Sequence, residues 1–331
     1  MKFSRILLSL PILFGLSCSG CVSNPSIPVA EDRTNIYTII GPDYRNRGKI
    51  PFESIRTNIY TIIGPDYRNQ GKIPFESIED KFTSSTGCEV AYTYYRPRVI
   101  SNDVLVVLGH GFMRSKDKMA YLAQHLVSWG LSVVNLEFCN SKLWAGNHDR
   151  NGADMVALSQ KLNADKVIYV GFSAGGLAAM VAANLDKNTR AFFGLDMVDH
   201  QELGKKIAPN LVVPFFGLIA APSACNANNN GLDPYVLAPQ FKVIKVEDTS
   251  HCHFEFPVDG KCSLVCGKGE KRFSRQTVQQ TIVGLTTAFL LWQTGIDVNG
   301  ETWWHDSQQN YKTLIDAGYI RKPINDETGF N

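Results

Sequence analysis

From Cys88 onward the sequence predicts an α/β protein, a mostly parallel sheet with helices on both faces. Three observations carry this. Short β-rich runs alternate with segments of helical periodicity along the chain. The periodic segments present one apolar face, and two of them end at glycine, as helices packed on a sheet do. One strand-like run, 166–170, passes through a glycine-rich turn directly into an Ala-rich helix at 176–185.

The β-rich runs are 90–95, 104–108, 132–138, 166–170, 191–195, 211–218 and 242–246. Between the second and third, Met119, Leu122, Ala123, Leu126 and Val127 follow the i, i+3, i+4, i+7, i+8 spacing of one helix face, and Gly130 supplies the stop. Met155, Leu158 and Leu162 repeat that spacing before the next run. After the last run, Ser274 is placed to cap a long helix. Its Val278, Ile282, Leu285, Phe289 and Trp292 form a stripe that closes at Gly295. The tail 296–331, with Trp303 and Trp304, carries no readable motif.

Ahead of this region, residues 33–55 recur as 56–78 with one difference, Arg47 against Gln70. Solenoids need about three repeats to bury a shared core, so two near-identical copies read as a copying event with one dispensable copy. The Ile-Tyr-Thr-Ile-Ile run in each predicts a strand bounded by Gly-Pro and Asn-Arg-Gly or Asn-Gln-Gly turns. The expected organisation is an export signal at 1–21, an N-terminal segment at 22–82 and the α/β domain at 83–331.

The signal rests on Lys2 and Arg5 ahead of an apolar run at 6–16 and a small-residue stretch, Ser17-Cys18-Ser19-Gly20-Cys21. That run is well short of the roughly 20 residues a membrane span needs. Ser-Gly-Cys resembles a bacterial lipobox and implies a lipid anchor at Cys21, although Cys18 stands where that pattern usually has Leu. The alternative is a soluble secreted chain. Of the eight cysteines, setting aside Cys18 and Cys21 leaves Cys88, Cys139, Cys225, Cys252, Cys262 and Cys266. In an oxidising compartment one or more disulfides are expected, with fifteen complete pairings open. Thirty-three Lys and Arg against 31 Asp and Glu give a net charge of +2. So small a charge makes no field for a nucleic acid partner. With no CxxC or His-rich ligand spacing, no metal is expected.

The chemistry centres on Gly171-Phe172-Ser173-Ala174-Gly175. GxSxG arises by chance in on the order of one chain in ten, but its strand–turn–helix setting is much rarer. A strand that turns sharply into a helix holds the serine in strained φ/ψ above the sheet and aims the helix's free N–H groups at a developing oxyanion. Ser173 is therefore the candidate nucleophile, and the Ala174 N–H is one oxyanion donor. Gly109-His110-Gly111-Phe112 follows the run at 104–108 and offers the second, from Phe112 with Met113 as alternative; His110 is expected to shape the loop.

In a serine hydrolase of this type the acid and then the base follow the nucleophile, each at a strand end. The run 242–246 leads to Ser250-His251-Cys252-His253, which makes His251 the candidate base and His253 the second choice. Asp196 is preferred as acid at the end of the run 191–195, with Asp199 and Asp233 as alternatives.

These residues resemble the α/β hydrolases related to chlorophyllases and to bacterial lipase-like and acetylhydrolase-like enzymes, over roughly residues 88–292. The resemblance rests on HGF at 110–112, GFSAGG at 171–176, LDMVD at 195–199, APSACN at 221–226 and SHCHFE at 250–255. It implies an α/β-hydrolase fold, Asp196 as acid and His251 as base. Met197 and His253 depart from that pattern, which usually has proline and aspartate there. The expected function is hydrolysis of a carboxylic ester, lipid esters included, through an acyl-enzyme and without a cofactor. Membrane contact is expected only through Cys21. The alternatives are acyl transfer by the same triad and a catalytically inactive surface lipoprotein with a binding role.

Overall fold

A computed structural model describes residues 37–39, 60–99, 102–142, 146–258, 260–267 and 272–322. The signal segment with Cys18 and Cys21, and all of the first repeat copy but Tyr37–Ile39, lie outside them. In chain order the strands are β1 (Tyr37–Ile39), β2 (Tyr60–Ile62), β3 (Phe75–Thr83), β4 (Glu89–Pro97), β5 (Val104–Gly109), β6 (Ser132–Leu136), β7 (Lys166–Phe172), β8 (Thr189–Leu195), β9 (Phe215–Ile219), β10 (Phe241–Val246) and β11 (Ile320–Arg321). The helices are α1 (Ala120–Ser128), α2 (His148–Lys161), α3 (Ala174–Leu185), α4 (Leu203–Ile207), α5 (Leu232–Leu237), α6 (Gly260–Cys266), α7 (Arg275–Thr294) and α8 (Gln309–Asp316).

Nine strands make one sheet in the order β11-β10-β9-β8-β7-β5-β6-β4-β3. The six from β6 to β10 run parallel, and β3, β4 and β11 pair antiparallel at the two edges. Side chains alternate between faces along each strand. Val106, Leu108, Val170 and Phe193 therefore join one core with Leu122 and Leu126 of α1 and Ile282 and Phe289 of α7. Val107, Tyr169 and Phe192 join the other with Leu158 of α2 and Ala178 of α3. The protein is thus an α/β structure with a mostly parallel sheet and helices on both faces.

The caps follow sequence. The Ser274 hydroxyl accepts from the Thr277 N–H at the start of α7, and Gly295 takes φ 74° at its end. Two boundaries differ from expectation. The run at 211–218 becomes strand only at Phe215, because residues 208–210 form a 3-10 turn and Pro214 has no N–H to give to a ladder. The run at 132–138 leaves the sheet after Leu136, where the Phe138 N–H turns to the His110 ring.

The second repeat copy is built into the sheet. β3 spans the 82/83 position and pairs with β4 along its whole length. Upstream, Ile62 and Tyr67 are fully buried, and the Tyr67 hydroxyl donates to Asp297 (2.7 Å). A Cβ at Gly71 would lie 2.2 Å from the Ser128 carbonyl, so glycine is required there. From the first copy, β1 pairs antiparallel with β2, its twin.

The unread tail also joins the core. Trp303 and Trp304 are fully buried, the Trp304 indole N–H donates to the Leu285 carbonyl (3.0 Å), and β11 pairs with β10. Disulfides join Cys88 to Cys139, Cys225 to Cys266 and Cys252 to Cys262. Among the described residues no helix is long and apolar enough to cross a membrane.

Candidate active site

β7 ends at Phe172 and α3 begins at Ala174, so Ser173 alone makes the turn, at φ 55° and ψ −125°. Positive φ is costly for a residue with a Cβ and persists only where surroundings enforce it. Here the Ser173 N–H donates to the Leu195 carbonyl (3.0 Å), and its own carbonyl accepts from Gly176 (2.9 Å) and Val198 (3.3 Å). The flanking glycines allow close approach: a Cβ on Gly171 would sit 2.1 Å from the Gly175 oxygen, and one on Gly175 would sit 2.2 Å from the His110 oxygen.

His251 follows β10 in the 3-10 segment His251–Phe254, and Asp196 follows β8 at φ 46°. The His251 Nε2 lies 2.9 Å from Ser173 Oγ, and its Nδ1 lies 2.6 Å from Asp196 Oδ2. All three side chains are buried. An ionised carboxylate only accepts, so Nδ1 carries the proton and Nε2 keeps the lone pair facing the hydroxyl. That line can take a proton from serine and stabilise the resulting imidazolium.

Two groups that sequence reasoning missed hold Asp196. Asp196 Oδ1 accepts from the Ala220 N–H (2.9 Å), and the Asn226 amide NH2 reaches both carboxylate oxygens (3.4 and 3.2 Å). Asn226 sits on the irregular segment after β9, where no periodicity marks it; it closes the APSACN stretch at 221–226, which carried the resemblance without naming a role for it.

The other candidates lie elsewhere in the network. Asp199 accepts from the Gly204 (2.7 Å) and Lys205 (3.2 Å) N–H groups at the start of α4. Asp233 is an exposed member of α5, paired with Lys205 at 3.3 Å. His253 uses Nδ1 to accept the Ser250 N–H (2.9 Å), which caps its own turn. Burial pushes its pKa down from the usual histidine value. His110 is buried, with Nδ1 on the Gly111 carbonyl (2.8 Å) and Nε2 accepting from Phe138 (3.0 Å). Backbone thus holds both its nitrogens.

For an oxyanion, the Met113 N–H is already given to the Ser141 carbonyl (2.8 Å) and hydroxyl (3.1 Å). The N–H groups of Phe112 and Ala174 have no acceptor among the described residues, and both residues line the same cavity as Ser173. That cavity is about 420 Å³, with His148, Val198, His200 and Cys225 on its other walls. Burial, with the like charge of His200 next in rank, pushes the His148 pKa down from the usual histidine value. A larger open groove of about 700 Å³, lined by Tyr121, Phe256 and Arg275 among others, contains none of the three aligned side chains.

Two disulfides flank the site, since Cys252 adjoins His251 and Cys225 adjoins Asn226. The sulfurs of Cys252, Cys262 and Cys266 lie within 4.8 Å of one another, but all are spent in disulfides rather than held as metal-binding thiolates. No protein-family model and no curated protein matches the chain, so its chemistry is read from this geometry.

Proposed function

We propose that this chain is a carboxylic ester hydrolase of the α/β-hydrolase fold, with Ser173 as nucleophile, His251 as base and Asp196 as acid. The observation that carries the proposal is the unbroken line from Ser173 Oγ through His251 to Asp196 at a strained strand-to-helix turn. As Oγ attacks the ester carbonyl, its proton passes to His251 Nε2 and the carbonyl oxygen becomes an oxyanion facing the Phe112 and Ala174 N–H groups. Collapse breaks the bond to the alcohol oxygen, which leaves with the proton from His251. Water then repeats the sequence on the acyl-serine, releasing the acid and the free hydroxyl. Each oxyanion donor is worth about 10²–10³ in turnover.

The substrate is an ester with one arm short or slender enough for a cavity of about 420 Å³ with Phe112 and Val198 on its walls. Three disulfides fit an exported protein, in keeping with the signal-like residues 1–21 and a lipid anchor at Cys21. Hydrolysis of a p-nitrophenyl ester chain-length series, with fluorophosphonate labelling, tests the reading. Wild type should hydrolyse and label, and Ser173→Ala should do neither at unchanged folding. A labelled Ser173→Ala variant would remove Ser173 from the role.

A further inference from the structure

One buried carboxylate has no part in that proton line. Glu255, four residues after His251, is 0% exposed, and its Oε1 lies 3.0 Å from Nε of Arg114, two residues after Phe112. We propose that Arg114 and Glu255 are a positioning pair that locks the oxyanion loop to the loop carrying the base. The proposal rests on the ester-hydrolase reading.

Each end of the pair is held by its own segment. On the oxyanion side the Arg114 N–H donates to the Gly111 carbonyl (3.2 Å), and Met113 adopts φ 57° with its N–H on Ser141. Phe112 is thus fixed from Ser141 on one side and from Glu255 on the other. On the base side the Glu255 N–H donates to the Cys252 carbonyl (3.4 Å), and the Glu255 carbonyl accepts from Gln279 of α7 (3.3 Å). The Phe256 N–H adds a backbone tie to the Lys118 carbonyl (3.1 Å), between the same two stretches of chain.

Fold stability does not account for such a pair, because a buried ion pair is commonly matched or exceeded by an apolar pair of similar volume. What it supplies is placement: the Arg114 Nε meets Glu255 Oε1 at 3.0 Å, and a nitrogen fixed in the guanidinium plane holds that approach where a flexible ammonium would not. Placement matters here because an oxyanion donor works only within about 2.7–3.1 Å of the developing charge, and about 1 Å of misplacement can cost roughly 10²-fold. Without the pair, the Phe112 amide and the His251 ring would keep their chemistry and lose their mutual register.

The test separates charge burial from positioning. Single variants Glu255→Gln and Arg114→Met should lower both Tm and kcat, because each takes one charge out of the pair and keeps the other in place. The double variant Arg114→Met/Glu255→Leu removes both charges and should regain a Tm near or above wild type. Its kcat for p-nitrophenyl acetate should stay about 10- to 100-fold down with KM within about threefold, and the fluorophosphonate labelling rate should fall by a similar factor. Recovery of kcat together with Tm overturns the proposal and leaves the pair merely structural. If the double variant does not fold, Arg114→Lys decides, since it keeps the charge and loses the guanidinium plane: a lowered kcat at near-normal Tm supports the proposal, and an unchanged kcat overturns it. Wild-type protein without hydrolysis overturns both this proposal and the reading beneath it. Wild-type hydrolysis lost in Ser173→Ala isolates any failure to the pair.

Discussion

Replacing Asp196 by Asn changes one atom of a buried group, and the surroundings dictate which way the new amide faces. Asp196 Oδ1 accepts from the Ala220 N–H at 2.9 Å, with the Asn226 NH2 also beside it. The Asn226 NH2 lies near both oxygens, but the Ala220 N–H meets Oδ1 alone, so the amide oxygen takes that side and the NH2 faces His251 Nδ1. An NH2 can only donate there, which forces Nδ1 to carry the lone pair and Nε2 the proton. His251 then meets Ser173 with an N–H where the proposed mechanism needs a lone pair. The same substitution in a well-studied serine protease lowers turnover by about 10⁴ with geometry intact. On the proposed mechanism, kcat for p-nitrophenyl acetate in Asp196→Asn should fall by about 10³–10⁴, a barrier increase of roughly 4–5.5 kcal/mol. Asp199→Asn, which weakens the cap of α4, and Asp233→Asn, which alters an exposed ion pair, should each cost less than about tenfold at equal folded concentration. If Asp196→Asn keeps a tenth of wild-type activity or more while Asp233→Asn is crippled, the acid assignment fails.

Deleting residues 33–55 should preserve ester hydrolysis and shift Tm by only a few degrees, because Ile62, Tyr67 and Gly71 of the second copy make the buried anchors. Deleting 56–78 instead yields the same chain apart from Arg in place of Gln, so thermal melts of the two deletions should coincide. His125 contributes a pH dependence with a defined range. Burial pushes its pKa down to about 4, against a hydrogen bond to the Tyr67 carbonyl that opposes the shift. The unfolded chain therefore takes up a proton near pH 6.5 that the folded chain refuses until about pH 4. Stability is fully present above about pH 7 and is lost as pH falls from about 6.5 towards 4, by up to about 3 kcal/mol at 1.36 kcal/mol per pH unit. Tm measured from pH 8 to 4 should fall less steeply in His125→Gln than in wild type; equal slopes would rule His125 out as the source.

Strands β4 to β10 and the principal helices were legible because each carries an apolar signal, from the continuous 104–108 run to the Val278–Trp292 stripe. Ser173, His251 and Asp196 were legible because each follows a strand end, and the structure brings all three within hydrogen-bond reach. Asn226 and Ser141 were not, since they act from irregular loops where contact depends on tertiary folding. β3 escaped notice for a physical reason: as an edge strand it is mostly exposed and charged, FESIEDKFT, with no buried face to impose alternation. Trp303 and Trp304 were unreadable because they reach the core from a short 3-10 segment, Val298–Trp303, rather than from a periodic face. Six cysteines left fifteen pairings open, and only the fold brings together Cys225 with Cys266 and Cys88 with Cys139 across 41 and 51 residues.

Why the three side chains meet follows from how the parallel ladder ends. Neighbouring parallel strands leave the sheet on the same side, so the loops after β7, β8, β9 and β10 start from one edge. The ladder also continues past the strands: Ser173 N–H donates to Leu195 (3.0 Å), Asp196 N–H to Leu218 (2.7 Å) and Ala221 N–H to Thr249 (3.0 Å). Ser173, Asp196 and the residues leading into His251 are therefore registered to one another by backbone bonds before any side chain is considered. The side-chain line from Asp196 to Ser173 spans a distance that the sheet has already set. The acceptors at Leu195 and Leu218 are main-chain carbonyls that no side-chain replacement removes, so only a distortion of the strand ends themselves would break this ladder, and it would displace Ser173 and Asp196 together.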